Sequence, residues 1–163
     1  MASPYAIRCS RQEDRDDILG FVAETGFFRD DELAVAREVL DEALAKGPEG
    51  HYQSYTAEEG GRCVGWVCFG PTPCTLGTFD IYWIAVAKER QGRGIGKALV
   101  RAAEKAIVER GGRMAVFETS GRTIYDSTRR FYSKLGYREE ARLKDFYAPG
   151  DDKLIYVKRV NDR

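Results

Sequence analysis

The sequence predicts an α+β fold, on three observations. A short strand-like segment and two amphipathic helical segments come first, further strand-like segments follow, and helices then alternate with strands in the second half. The chain has 163 residues, of which 43% are hydrophobic, so it can bury one substantial core. No internal repeat, low-complexity tract or linker interrupts it. We therefore predict a single domain over residues 1–163, with about six or seven strands and four helices.

The first segments have turn and capping signals. Residues 5–9 are typical of a short strand, and Ser10 with Glu13 predicts a capping box for a helix that contains residues 18–22. A second amphipathic helix is predicted over residues 30–46, where a Gly-Pro pair ends it. Both helices are acidic on their outer faces.

The period changes from helical to strand-like after residue 50. Residues 52–58 and 62–70, joined by two glycines, predict a β-hairpin. Residues 78–87 are rich in β-branched and aromatic side chains, as a central strand would be. The remaining segments predict a helix, a strand, a helix and two strands, over residues 97–110, 114–119, 125–135, 137–146 and 154–159.

Charge is unevenly distributed, although 26 basic and 26 acidic residues give a net charge of zero. Residues 11–50 contain five basic and twelve acidic residues, a net charge of −7, so the rest of the chain carries +7. Residues 88–101 contain five basic residues and Glu89 as the one acid. This pattern is typical of a protein that recognises both a cation and an anion. The alternative is that solvated helix faces of opposite charge are separated along the chain without a binding role.

Composition disfavours several classes of protein. His51 is the only histidine, so a zinc centre or a histidine-dependent triad is not expected. The sequence has no excess of basic residues of the kind that indicates nucleic-acid binding, and no apolar run of about 20 residues that would indicate a membrane span. Residues 1–10 lack a signal-peptide core. We expect a soluble cytoplasmic protein without a metal. Its irregularly spaced cysteines are expected to be reduced and mostly buried: Cys9, Cys63, Cys68 and Cys74.

A glycine-rich segment, QGRGIGK over residues 91–97, joins a predicted strand to a predicted helix. Backbone N–H groups at such a helix start bind phosphate oxygens, and glycines allow close approach. Gln91 and Ala98 occupy positions where a Walker A loop needs Gly and Ser or Thr, and G-x-G-x-G differs from the dinucleotide fingerprint. The segment predicts an anion site of another kind, with a ligand-free turn as the alternative.

Two motifs carry a resemblance to one family. Gln91-x-x-Gly94-x-Gly96 after an apolar strand resembles the pyrophosphate-binding loop of the GNAT superfamily of N-acetyltransferases. Residues 130–137, RFYSKLGY, resemble that family's later helix and strand, and residues 145–152 resemble a bacterial branch of unknown acceptor. The resemblance covers nearly the whole chain. It implies the GNAT fold with a mixed central sheet and an N-acetyltransferase that uses acetyl-CoA and no metal.

The resemblance also implies the donor-binding residues. Backbone groups of residues 84–86 would hold the pantetheine arm like an added strand and donate to the carbonyl oxygen. Many members have Asn where this chain has Tyr125, so Ser127 or Thr128 is the candidate for that contact. The predicted coenzyme A contacts are Ile84, Ala85, Val86, Gln91, Gly92, Arg93, Gly94, Ile95, Gly96, Lys97, Thr128, Phe131 and Lys134.

Acyl transfer to an amine requires a base, because a lysine-like amine has a pKa near ~10.4. The candidates are carboxylates on predicted central strands, Asp80 first and Glu118 second, each with a structural ion pair as the alternative. Asp80 is near the position where some family members carry a catalytic glutamate. Tyr132 is the candidate acid for the departing thiolate, with simple ring packing as the alternative.

The acceptor is expected to be a primary amine of a small molecule or amino-acid derivative, since the resemblance sets the acidic residues 11–50 beside the acceptor pocket. A peptide or protein amine, a non-catalytic acyl-CoA sensor and, least supported, tRNA-bound amino acids are the alternatives. The sequence does not decide oligomeric state, and a homodimer is compatible with it. Four aromatic residues are candidates for the pocket or the core: Phe27, Phe28, Tyr82 and Trp83.

Overall fold

The computed structural model describes residues 2–161, which form four α-helices and seven strands. The strands form a mixed sheet in the order β1-β2-β3-β4-β5-β7-β6. In chain order the elements are β1 (Ala6–Cys9), α1 (Arg15–Glu24), α2 (Asp30–Lys46), β2 (Gln53–Glu59), β3 (Arg62–Pro71), β4 (Thr78–Val86), α3 (Ile95–Glu109), β5 (Met114–Ser120), α4 (Asp126–Lys134), β6 (Arg138–Ala148) and β7 (Asp151–Arg159). The α+β class is confirmed.

The described chain forms two compact units that meet in sequence within β4. The first contains residues 2–70 and 81–106, and the second contains residues 71–80 and 107–161. The assignment of one domain to the whole chain therefore remains a prediction.

The first unit is built on the antiparallel strands β1, β2 and β3. Its largest fully buried side chain is Trp66, whose indole Nε1 donates to Ser54 Oγ at 2.8 Å. Gly65 lies on β3 where a Cβ atom would be 2.9 Å from Leu99 and 3.0 Å from Ile95. The missing side chain thus lets the first two turns of α3 pack directly on β3, which fixes where that helix begins.

The predicted capping box of Ser10 and Glu13 is wrong. Ser10 continues the pairing of β1, since its N–H donates to the Ser54 carbonyl at 2.9 Å and its hydroxyl lies 2.8 Å from Thr56 Oγ1. The turn before α1 is closed instead by Asp14, whose carboxylate accepts the Arg11 N–H at 2.7 Å. A cross-strand contact therefore takes the hydroxyl that the local pattern assigned to a cap.

The second unit contains a parallel pair and an antiparallel ladder. The first three residues of β4 pair with β5, which pairs in turn with β7, and β7 pairs with β6. Every residue of β6 is exposed, whereas Phe117, Tyr137 and Leu154 are buried. The turn between β6 and β7 is Pro149-Gly150, because the two strands extend beyond their predicted bounds of residues 137–146 and 154–159.

The cysteines divide into two groups. Cys63 and Cys68 are buried, as predicted, while Cys9 and Cys74 are exposed, so the prediction of mostly buried thiols holds for two of four. Burial raises the pKa of the Cys63 thiol to about 12. No helix within residues 2–161 is long and apolar enough to cross a membrane.

Candidate active site

The glycine-rich loop follows β4 through one 3₁₀ turn, residues 88–90, and leads into the fifteen-residue helix α3. Residues 91–94 are exposed, and Gly92 and Gly94 have φ angles of 75° and 84°, which glycine adopts without strain. The first turn of α3 closes with Ala98 N–H donating to Gly94 O at 3.0 Å, two residues earlier than the predicted helix start. Exposed backbone N–H groups at a helix N-terminus can hold phosphate oxygens.

Side chains of this loop are tied to the rest of the first unit. Gln91 Nε2 donates to the Val86 carbonyl at 3.1 Å, and the hydroxyl of Tyr5 donates to Gly94 O at 3.3 Å. Arg93, predicted to contact coenzyme A, forms an ion pair with Glu59 at 3.1 Å. Lys97 is exposed. These contacts hold the predicted loop against Tyr5, Glu59 and Val86 of the same unit.

The last residues of β4 lie beyond its ladder with β5. That ladder spans three residue pairs, from Thr78 with Met114 to Asp80 with Val116. The predicted pantetheine contacts, residues 84–86, come after it, so their backbone groups are not used in this pairing. Backbone groups of this kind can pair with an extended ligand.

Tyr132 lies in α4, in the second unit, and is 5% exposed. Its ring stacks on Phe117 with centroids 4.0 Å apart. Within residues 2–161 its hydroxyl makes no hydrogen bond, and burial raises the pKa of the phenol. On the same helix, Phe131 and Thr128 are half-buried and Lys134 is exposed.

The two candidate bases lie on neighbouring strands of the second unit. Asp80 is half-buried and accepts a hydrogen bond of 2.7 Å from Thr72 Oγ1. Glu118 is more exposed and pairs with Lys153 Nζ at 2.8 Å, the kind of ion pair considered as the alternative. Asp80 is in register with Val116, so alternation of side chains along β5 sets Asp80 and Glu118 on the same sheet face.

The four aromatic residues considered for the acceptor pocket belong to the first unit. Trp83 and Tyr82 have different neighbours there. Trp83 is half-buried; it packs edge-on against Phe28 at 5.0 Å and stacks at 6.2 Å on Trp66, which is buried. Tyr82 is 37% exposed, and its hydroxyl lies 3.1 Å from His51 Nε2. Tyr82 therefore remains a candidate for ligand contact, and Trp83 is better explained by packing.

His51 is a residue that sequence reasoning set aside. Its ring meets Tyr52 edge-on at 4.8 Å as well as Tyr82, which makes a cluster of three polar aromatic side chains. A Cβ atom on Gly70 would lie 2.6 Å from the His51 carbonyl, so this approach requires glycine. Gly70 is the sequence feature that could have pointed to this cluster. Strand pairing, not proximity in sequence, brings the His51 and Tyr82 side chains together.

Comparison with known proteins identifies the family. Residues 50–139, more than half of the chain, match the family model of the acetyltransferase (GNAT) domain. An uncharacterized N-acetyltransferase of Methanocaldococcus jannaschii is 32% identical over 111 residues, which cover 64% of this chain and 65% of that relative. The match thus spans slightly less than two thirds of the relative's own length.

Solved structures agree with this assignment. A GNAT-family protein from Desulfovibrio desulfuricans has 43% identity and a TM-score of 0.92 over 96% of this chain and 99% of its own. An aminoglycoside 6'-N-acetyltransferase complexed with coenzyme A has the same fold, with a TM-score of 0.77 at 18% identity over 97% and 98% of the two chains. As its loop and later helix predicted, this chain belongs to the GNAT acetyltransferase family, whose reaction class is acyl transfer, and it has the GNAT fold.

Proposed function

We propose that this chain is an N-acetyltransferase that moves an acetyl group from acetyl-CoA to a primary amine of a small molecule or amino-acid derivative. Transfer is direct, within a ternary complex, and requires no metal. The observation that carries the proposal is the loop of residues 91–97 at the start of α3, with two positive-φ glycines, basic neighbours and residues 91–94 exposed. The related fold that was solved with coenzyme A supports the same donor class.

The donor-binding roles follow from the chemistry of each segment. The pyrophosphate binds the backbone N–H groups of residues 91–97, because the helix dipole and the basic side chains favour an anion there. The pantetheine arm pairs with residues 84–86 of β4. Side chains of α4 complete the donor contacts: Thr128, Phe131 and Lys134.

Tyr132 is proposed to protonate the departing thiolate. The acetyl thioester supplies an activated carbonyl, so the residues of this chain need only orient it and move two protons. A backbone N–H of residues 84–86 donates to the carbonyl oxygen as charge develops. Burial raises the pKa of the phenol, which keeps the proton on Tyr132 until the thiolate forms and also makes the phenol a weaker acid.

Asp80 is proposed as the base that receives the proton of the amine, directly or through water. Glu118 is the second candidate, and its ion pair with Lys153 favours a structural role. The Thr72 hydroxyl donates to the Asp80 carboxylate and orients it. Burial in a strand raises the cost of a charged carboxylate, which favours its use as a base, so Asp80 stays the first candidate.

The acceptor is proposed to be a cationic amine. Part of the acidic excess of residues 11–50 is neutralised, since Asp14 pairs with Arg8 and Asp17 pairs with Arg62. The remaining acids still favour a cation, and the exposed ring of Tyr82 offers a π-face for one. A cytoplasmic location, a bacterial source and a homodimer stay predictions.

Thiol release from acetyl-CoA, measured across a panel of small amines, amino-acid derivatives and peptide N-termini, tests the proposal. Release with small amines supports it. Release with peptides alone moves the acceptor to a protein amine. Silence across the panel, combined with tight coenzyme A binding, favours a non-catalytic sensor and contradicts the proposal.

A further inference from the structure

Two arginines beside the glycine-rich loop share one carboxylate. Glu59, the last residue of β2, accepts a hydrogen bond from Arg90 Nε on its Oε2 atom. Arg93 Nη2 lies 3.1 Å from Glu59 Oε1, and Arg93 Nη1 lies 3.4 Å from Oε2. The Glu59 side chain is 15% exposed, against 37% for Arg90 and 44% for Arg93. The carboxylate is thus the buried partner of two guanidinium groups that remain open to solvent.

The backbone on either side of these arginines is anchored to the same hairpin. Ala87 N–H donates to Val64 O at 2.8 Å before the loop, and α3 packs on Gly65 after it. Residues 91–94 between these anchors are exposed. Glu59 therefore contacts two side chains of a segment whose two ends are anchored to this hairpin.

The shared carboxylate restricts how the two guanidinium groups point. A guanidinium has five N–H donors in one plane, so the donors that Arg90 and Arg93 give to Glu59 Oε2 restrict each plane and the others remain for a second acceptor. Glu59 Oε1 accepts no hydrogen bond within residues 2–161 and holds Arg93 through the ion pair alone. An arginine that is held beforehand loses less side-chain entropy when a ligand binds. A planar donor set held in this way suits the oxygens of a pyrophosphate.

We propose that Glu59 is a positioning residue for coenzyme A, which holds Arg90 and Arg93 in the orientation that receives the pyrophosphate. The inference rests on the proposed function, because that function supplies the pyrophosphate. Charge alone predicts the opposite effect, since removal of the carboxylate makes the segment more positive and would tighten binding of an anion. The two explanations differ in sign, so one substitution separates them.

The test is coenzyme A binding to Glu59→Gln, measured by calorimetry. Positioning predicts affinity about fivefold to tenfold weaker than that of the wild type, from the ordering of two side chains. Glu89→Gln is the matched control, because Glu89 is exposed and forms no hydrogen bond or ion pair within residues 2–161. It makes the same change of charge, and its affinity should be unchanged or slightly tighter.

Pantetheine, which lacks the pyrophosphate, should bind Glu59→Gln and wild type equally, as measured by ligand-observed NMR. Glu59→Asp serves if Glu59→Gln does not fold: it keeps the charge but shortens the side chain, so positioning still predicts weaker coenzyme A binding. In an Arg93→Ala background, Glu59→Gln should cost less than in the wild type.

Equal or tighter coenzyme A binding by Glu59→Gln would overturn the inference, and so would an equal loss for pantetheine. If the wild type binds coenzyme A in these experiments, such a result leaves the proposed function intact. If the wild type does not bind coenzyme A, the proposed function fails and the role of Glu59 fails with it.

Discussion

The phenol ring of Tyr132 stacks on Phe117 with centroids 4.0 Å apart and planes inclined by 16°. This stack holds a residue of α4 against β5, so the position of the hydroxyl does not depend on a hydrogen bond. Burial raises the pKa of Tyr132 above its usual value of about 10, so the phenol stays protonated at neutral pH. A fixed, protonated hydroxyl is what a general acid requires.

Tyr132→Phe should therefore lower turnover at least about tenfold, the lower end of what general acid catalysis contributes. The ring stack remains, so coenzyme A affinity and the unfolding temperature should stay close to those of the wild type. Tyr156→Phe is the control, because this buried tyrosine lies 5.7 Å from Tyr132, ring to ring, and has no assigned catalytic role. Unchanged turnover in Tyr132→Phe would remove Tyr132 as the acid.

Asp80→Asn should lower kcat/KM at neutral pH, and the loss should shrink as pH rises. The reason is that free amine accumulates near its pKa of about 10.4, so a base is needed less. Profiles of kcat/KM against pH for Asp80→Asn and Glu118→Gln distinguish the two candidates. A loss in Asp80→Asn that is independent of pH would indicate a structural role, and a pH-dependent loss in Glu118→Gln would move the base to β5.

Gly94→Val should abolish coenzyme A binding, because a side chain would occupy the space that the phosphate needs and would strain a φ of 84°. Gly111→Val is the matched control. Its φ of 78° imposes the same strain, and a Cβ atom there has open space around it. Calorimetry should show binding lost in the first variant and kept in the second, although both unfold at lower temperature. Retained binding by Gly94→Val would argue against phosphate contact at this loop.

The sequence predicted the seven strands and the last three α-helices to within a few residues, and it predicted the first α-helix without bounds, because hydrophobic period and glycine turns are local signals. The second helix was predicted at both ends, Asp30 and Lys46. The capping box failed at Ser10, because that hydroxyl is used across strands by Thr56. Local rules miss a group whose partner is distant in sequence.

Some residues of the candidate site could likewise be predicted from the sequence, and others could not. The phosphate loop could be predicted because its motif is contiguous and its neighbours are charged. Glu59 could not be assigned to Arg90, nor His51 to Tyr82, because each pair is 31 residues apart and meets only through the register of the strands. Strand register depends on pairing across the whole sheet. A single sequence does not specify that pairing residue by residue.

A last prediction concerns stability and starts from Asp14, which is 4% exposed. Arg8 donates to both carboxylate oxygens at 2.7 and 2.8 Å, and Arg11 N–H and Thr56 Oγ1 donate at 2.7 and 3.1 Å. Asp14→Asn removes one of the two carboxylates that Arg8 contacts, the other being Glu58, and should reduce the free energy of unfolding by about 2 kcal/mol, the cost of lost hydrogen bonds to a charged group. Asp16→Asn, at a 96% exposed side chain, should leave it nearly unchanged.

The same site predicts how stability depends on pH. Burial raises the pKa of Asp14, but the hydrogen bonds from Arg8, Arg11 and Thr56 together lower it further, so the folded pKa lies below the unfolded one. Such a group stabilises the fold above its unfolded pKa of about 3.9, and that contribution is lost as pH falls through the folded pKa. Urea unfolding from pH 7 to pH 3 should show the gap between wild type and Asp14→Asn narrowing in acid. A gap that stays constant would mean that Asp14 stabilises the fold through packing rather than through its charge.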